Sequence, residues 1–312
     1  MADPDILQTL TSLRDYIRWG TSEFNRQQLI FGHGFDNALD EARYLSLHAL
    51  ALPFDWPENY FGCVLTQSER QQVFKLLKRR ADSRQPVAYM TQESWFCGLK
   101  FYVDERVLVP RSPIAELIGN RFEPWVDAQR VERILDLCTG SGCIAIACQY
   151  AFENAEVCAT DISDDALEVA KINRRAHDQE ETLKLYQSDL FADIPAQRFD
   201  LIVSNPPYVD AGDMATLGQE FTFEPRLGLA AGDKGLDLVD QILLQAVDYL
   251  SDQGVLVIEV GNSQAAMMQK YQCLPMIWID FELGGGGVCC IQSQDLRAQY
   301  DQIRHINRLE VD

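Results

Sequence analysis

Basic residues are scarce in this chain: 27 Lys and Arg stand against 47 Asp and Glu, a formal net charge of −20. A protein that grips a phosphate backbone needs a basic face, so nucleic acid is disfavoured as a partner. The field would instead draw in a basic macromolecule, although acidity that serves only solubility is the competing reading. No apolar run approaches the ~20 residues that a membrane span requires. The first residues, Met1-Ala2-Asp3-Pro4-Asp5, lack the basic-then-apolar order of a secretion signal, so the expectation is a cytoplasmic protein outside the membrane. Histidine is nearly absent: there are four, none at ligand spacing from another His or from a Cys pair, and no structural zinc site is expected. No C-x-x-C pair occurs among the nine cysteines, and Cys138, Cys143, Cys148 and Cys158 lie in apolar segments, which reads as reduced core thiols. Internal repeats and low-complexity tracts are lacking too.

What is present divides the chain by periodicity. From Pro4 to about Arg84 apolar residues recur at helical steps, as in Leu7, Leu10, Leu13 and Ile17, and Thr66 with Glu69 has capping-box spacing. Residues 1–90 are therefore expected to form a helical domain. Within 91–127, Trp95–Val103 and Val107–Val109 read as two strands joined by Asp104-Glu105-Arg106, a β-hairpin linker. From 128 to 312 short apolar strands alternate with helices, the pattern of a parallel sheet covered on both faces. The strands expected there begin at Ile134, Val157, Leu183, Phe199 and Gly254, followed by a closing pair at Ile277–Ile279 and Val288–Ile291.

Cys138-Thr139-Gly140-Ser141-Gly142-Cys143 falls between a strand and a helix, where glycines let the backbone approach a ligand and the helix start offers free N–H groups. Asp161 closes the next strand, positioned to accept both hydroxyls of a ribose. These features suit a nucleoside cofactor, and Gly140-x-Gly142-x-x-Ala145 leaves an NAD-dependent oxidoreductase open as a rival. Asp189-Leu190 stands where an adenine pocket would be expected, or caps a helix.

Asn205-Pro206-Pro207-Tyr208 follows the strand at Phe199–Val203, so it would project at the carboxyl edge of the sheet, where open α/β folds bind ligands. Two prolines remove two backbone donors and stiffen the loop. The Asn205 side-chain oxygen and the Pro206 carbonyl can each accept one hydrogen of a planar –NH₂, while Tyr208 offers it a flat face. An amide nitrogen is a poor nucleophile because its lone pair is delocalised. Placing it in line with a sulfonium methyl can lower the barrier by ~7–11 kcal/mol.

Together these residues resemble the HemK-like protein-(glutamine-N5) methyltransferases. The resemblance spans nearly the whole chain: Pro86–Thr91, the hairpin Phe96–Val103, Val107–Arg111, Asp136–Gly142, Asp161, Ser188-Asp189, Ser204–Tyr208 and Phe223-Glu224-Pro225. It implies an α/β fold, a seven-stranded Rossmann-like class I methyltransferase domain with an N-terminal helical substrate-recognition domain and a β-hairpin linker. It also implies S-adenosylmethionine as cofactor, contacted by Cys138, Thr139, Gly140, Ser141, Gly142, Asp161, Asp189, Leu190 and Asn205. The target glutamine would be held by Asn205, Pro206, Pro207 and Tyr208, with Phe101 walling its pocket. Cys138 departs from the glycine, and Leu190 from the aromatic, usual in the branch acting on release factors. Pro110–Ile114 and Phe31–Ala42 resemble the branch that acts on ribosomal protein uL3 of the large subunit. His33 in that stretch is either a substrate contact or a loop histidine satisfied by backbone. Methylation of release factors, or of adenine N6 in DNA, whose exocyclic amine is also a planar –NH₂, are the alternatives within the same chemistry.

Overall fold

The computed structural model describes residues 4–309 apart from 215, 216, 230, 231, 233 and 234; Met1-Ala2-Asp3 of the N-terminal reading lie outside the described residues. The chain divides into two compact units, 1–93 with 218–223, and 94–217 with 224–312. The segment 91–127, expected as a separate linker, thus falls almost wholly in the second unit. Residues 218–223, expected in the second, fall in the first.

In the first unit the helices are Pro4–Thr9, Leu13–Arg26, Ala38–Ala49, Gln67–Ser83 and Val87–Thr91. Their starts are written in the sequence. Ser12 and Asp15 form a capping box, Asn37 accepts from the Asp40 N–H, and the Thr66–Glu69 box is present with Thr66 N–H donating to the Glu69 carboxylate at 2.8 Å. Tyr16, Phe24, Leu45, Val73 and Leu77 fill the core. A Cβ on Gly20 would lie 2.9 Å from a Leu77 methyl, so the small residue lets two helices approach closely. An ionic cluster is buried here: Arg80 pairs with Glu41, and Glu220, from the returning segment, accepts from Ile30 N–H at 3.0 Å and pairs with Arg84 at 3.1 Å. His33 is buried with its ring centroid 4.4 Å from that of Phe221.

The second unit opens with a hairpin of β1 (Ser94–Phe96) and β2 (Leu99–Phe101). Its turn is Cys97-Gly98, both at positive φ (50° and 73°), which matches the twist of tight antiparallel pairs. This corrects the expected hairpin: the strand pattern read through Gly98 to Val103, and Val107–Val109 is no strand. The turn lies at the glycine, not at the charged triplet.

Seven strands follow, β3 (Arg133–Leu137), β4 (Glu156–Asp161), β5 (Leu183–Gln187), β6 (Phe199–Ser204), β7 (Leu250–Glu259), β8 (Ile277–Trp278) and β9 (Val288–Gln292). They form one sheet in the order β5-β4-β3-β6-β7-β9-β8, with β9 alone antiparallel to its neighbours. Alternate residues serve opposite faces. Ile134, Val157, Val203 and Val257 belong to one apolar cluster, and Leu135, Cys158, Ile202 and Leu256 to the other. Both faces of the central strands are therefore dry, which is why those strands read as largely apolar runs. The chain leaves β3 for β4 on one side and returns to β6 on the other. This switch opens a crevice at the carboxyl ends of β3 and β6, where such sheets bind ligands. No helix among the described residues is long and apolar enough to cross a membrane.

Candidate active site

Three segments meet at the carboxyl ends of the central strands: the turn Cys138–Gly142 after β3, Asp161 at the end of β4, and Asn205–Tyr208 after β6. The registers Leu137↔Thr160 and Leu137↔Ser204 bring them side by side. Ser204 closes the join by donating its hydroxyl to the Leu137 carbonyl at 3.0 Å.

The turn is built by backbone conformations that side chains resist. Cys138, Gly140 and Gly142 all have positive φ, 60°, 55° and 81°. At Cys138 this left-handed backbone is where glycine costs least, a physical reason for glycine at the matching place in the release-factor branch. A Cβ on Gly140 would meet nothing within 4 Å, whereas one on Gly142 would press Ala170 at 3.3 Å. Gly140 thus leaves open space for a ligand to reach the backbone, and Gly142 serves packing at the cap of the helix Cys143–Ala151. Thr139 and Ser141 are buried. Asp161 accepts from Gly140 N–H through one carboxylate oxygen and from Ser163 N–H through the other, each at 2.9 Å. The carboxylate therefore pins the turn, and each oxygen keeps a lone pair for a further donor. Ser188 N–H donates to the Asp161 carbonyl at 3.0 Å, which brings the segment Ser188–Leu190 to the same edge. Asp189 is exposed and opens a turn, not a helix; Leu190 is buried with φ 51°.

The tetrapeptide is held firmly at one end and left open at the other. Pro206 and Pro207 are buried. Tyr208 donates its hydroxyl to Glu259 at 3.1 Å, and its carbonyl accepts from Ser263 at 3.0 Å. Asn205 is half-buried, and no hydrogen bond to a described residue engages its amide. Phe101 is brought elsewhere: it is fully buried, its ring centroid 5.0 Å from that of His177. A ring without exposed surface does not wall an open pocket, so its tie to the substrate rests on the resemblance alone.

Comparison with known proteins adds the family. Residues 123–232 match the model described as Methyltransferase small domain. The chain is 46% identical over 293 residues to the ribosomal protein uL3 glutamine methyltransferase of Francisella tularensis, covering 94% of this chain and 93% of the relative. With the protein of the same name from Xanthomonas campestris it shares 46% over 298 residues, 95% of this chain and 96% of the relative. The chain belongs to the ribosomal protein uL3 glutamine methyltransferases.

Several residues that build this site carry no local signature. Asn173, fully buried in the helix Asp164–Ala176, accepts from Tyr102 N–H at 2.7 Å and donates to the Ser141 carbonyl at 2.9 Å, joining the hairpin to the turn. Glu224 accepts from both terminal nitrogens of Arg111, at 2.5 and 2.8 Å, and from Val109 N–H at 3.1 Å. Glu259 is signalled only by being a lone acid at the end of the apolar run Val255–Ile258.

Asp136, at the foot of the turn, is fully buried and accepts from the Thr139 hydroxyl at 2.5 Å and Ala145 N–H at 3.1 Å. Burial nevertheless pushes its carboxyl up from 3.8 to about 7, with the Asp161 charge adding a smaller push. Because the folded value is raised, ionisation favours the unfolded chain as pH climbs from 3.8 to about 7, and above that the penalty is constant. Stability should therefore fall across this window, by an amount on the order of a few kcal/mol. In Asp136→Asn that slope should become shallower, since Asp161 and Glu259, whose carboxyls burial also raises, still contribute; thermal midpoints of both proteins from pH 5 to 8 check it, and parallel curves would contradict the expectation.

Proposed function

We propose that this protein transfers a methyl group from S-adenosylmethionine to the side-chain amide nitrogen (N5) of a glutamine, and that the glutamine belongs to ribosomal protein uL3. One observation carries the reading: a glycine turn and a strand-end carboxylate suited to a nucleoside stand beside Asn205–Tyr208, at the switch point of the sheet. The names of relatives that match almost end to end support the substrate.

The residues fit the cofactor. The open space at Gly140 admits a ligand to the backbone, and the free lone pairs of Asp161 suit a ribose diol. Cys138–Gly142, Asp161, Asp189 and Leu190 would hold the cofactor, which supplies an electrophilic methyl group on a sulfonium centre. Asn205 Oδ1 and the Pro206 carbonyl accept the two hydrogens of the target amide, and Tyr208 packs against its plane. These acceptors fix the nitrogen lone pair in direction and draw it out of conjugation with the amide carbonyl. The same carbonyls relay the proton that leaves the nitrogen to water, which is its final acceptor. Pro207 keeps the loop from relaxing. We assign recognition of the protein substrate to the helical N-terminal unit and the reaction to the cytoplasm.

Labelled methyl transfer to purified uL3, a release factor and DNA, run side by side, tests the reading. Label on uL3 glutamine is expected, and label on DNA alone would overturn it. The charge of −20 should speed encounter with a basic substrate. Accordingly kcat/KM should fall as salt shortens the Debye length from ~10 to ~3 Å, while kcat changes less. A kcat/KM independent of salt would leave the acidity to solubility.

A further inference from the structure

Glu259 ends β7, one strand over from the tetrapeptide, and Ile258 pairs in register with Ser204. Only 3% of its surface is exposed, yet among the described residues no guanidinium is bonded to it: the nearby Arg111 is engaged by Glu224 and acts on it only from a distance. An isolated buried carboxylate is costly unless its oxygens are bonded. Here both are. One accepts from the Tyr208 hydroxyl at 3.1 Å and the other from the Ser112 hydroxyl at 2.5 Å, and Ser112 in turn accepts from Ile114 N–H at 3.2 Å.

Tyr208 is thereby held at three points. Its hydroxyl is on Glu259, its carbonyl on Ser263, and its ring edge lies against Gly261, where an added Cβ would come within 2.4 Å of Cε2. Gly261 also sits at φ 45° and takes Gly287 into close approach behind it, so this wall does not yield readily. The prolines before Tyr208 deny the loop the freedom to correct a tilted ring. Burial, set against the two hydroxyl bonds, leaves the Glu259 carboxyl above the ordinary range.

We infer that Glu259 is a positioning residue for the target amide: by fixing the Tyr208 hydroxyl from behind, it sets the plane against which the glutamine nitrogen is presented to Asn205 and Pro206. This rests on the proposed glutamine methylation. Glu259 is bonded to Ser112 and Tyr208 and not to the glycine turn or Asp161, so its effect should fall on the transfer step.

A double-mutant cycle with Glu259→Leu, which leaves the Tyr208 hydroxyl no acceptor at this position, and Tyr208→Phe separates this role from simple support of the fold. Each single variant should lower the single-turnover rate at saturating cofactor and uL3 by ten- to a hundredfold, on the order of what a small misplacement of reacting groups costs. Cofactor affinity should stay within about twofold of wild type. Because both changes break one link, the double variant should be no slower than the slower single. A wild-type rate in Glu259→Leu, or a double variant whose loss is the product of the two, overturns the inference. Should Glu259→Leu fail to fold, Tyr208→Phe decides alone: it keeps the ring and removes only the anchored hydroxyl, so an undiminished rate sinks the proposal. If the wild type methylates no glutamine at all, the underlying reading fails instead, and the two failures are thus distinct.

Discussion

Asn205→Ala is expected to lower single-turnover methylation of uL3 by about 10²–10³-fold, the loss seen when one preorganised polar group is removed from a reacting centre, while leaving the thermal midpoint near that of wild type. Its amide makes no hydrogen bond to a described residue, so truncation strands no buried partner in the protein. What is lost is one of two acceptors for the target –NH₂. The buried prolines beside it cannot swing another into place, and Tyr208, held through its hydroxyl and its carbonyl, cannot shift to compensate. Asn205→Asp is the sharper variant. It keeps an acceptor of the same size but adds a charge, which would favour a cationic sulfonium in the ground state as well as the reacting complex. If acceptor geometry is what matters, Asp retains part of the activity that Ala loses. Rapid-quench measurement of labelled uL3, with cofactor titration in parallel, reads both. Near-wild-type turnover by Asn205→Ala would remove the tetrapeptide from the reacting centre.

The sequence announces that centre because its chemistry is local. Asn205-Pro206-Pro207-Tyr208 carries acceptors, stiffness and an aromatic face within four consecutive residues, and the apolar run Leu201-Ile202-Val203 stands just before it. The sheet was legible for the same reason, since strands buried on both faces advertise themselves from Ile134 to Ile291. Features that need two distant parts of the chain were not. Asn173 joins Tyr102 to Ser141 across 71 and 32 positions. Nothing beside it in sequence distinguishes it from a solvated helix residue. Glu220 is an ordinary acid by composition, and only the fold shows that it meets Arg84 in the first unit. Where local signals compete, the stronger conformational constraint wins. At the hairpin, the charged triplet Asp104–Arg106 resembled a turn by composition, but Cys97-Gly98 supplied the positive φ that a tight turn demands.

The second large effect is expected at Asp161, where the structure complicates a simple truncation. A strand-end carboxylate could serve the ligand alone, but this one also accepts from Gly140 and Ser163 N–H. Asp161→Ala therefore removes a ligand contact and releases the turn that forms the other wall of the pocket. Cofactor affinity should fall about a hundredfold, the sum of a charge-assisted hydrogen bond at ~1.5–3 kcal/mol and some loss of turn order. Asp161→Asn separates the two parts. Its remaining oxygen can still accept from Gly140 and hold the turn, but its –NH₂ faces Ser163 N–H with a donor and offers the ribose one acceptor in place of two. An affinity between wild type and Ala, with hydrogen exchange at Gly140 close to wild type, is the expected outcome for Asn, and faster exchange at Gly140 is expected for Ala alone. The acidic environment gives a second readout. Burial holds the Asp161 carboxyl above its ordinary range, and the hydrogen bonds from Ser163 and Gly140 only partly offset this. Under mildly acidic conditions, a cationic ligand that favours the ionised carboxylate should then release protons on binding in the wild type and fewer in Asp161→Asn, which calorimetry in buffers of different ionisation enthalpy measures. Cofactor affinity unchanged in a folded Asp161→Ala would take this residue out of the site and leave the turn as its only client.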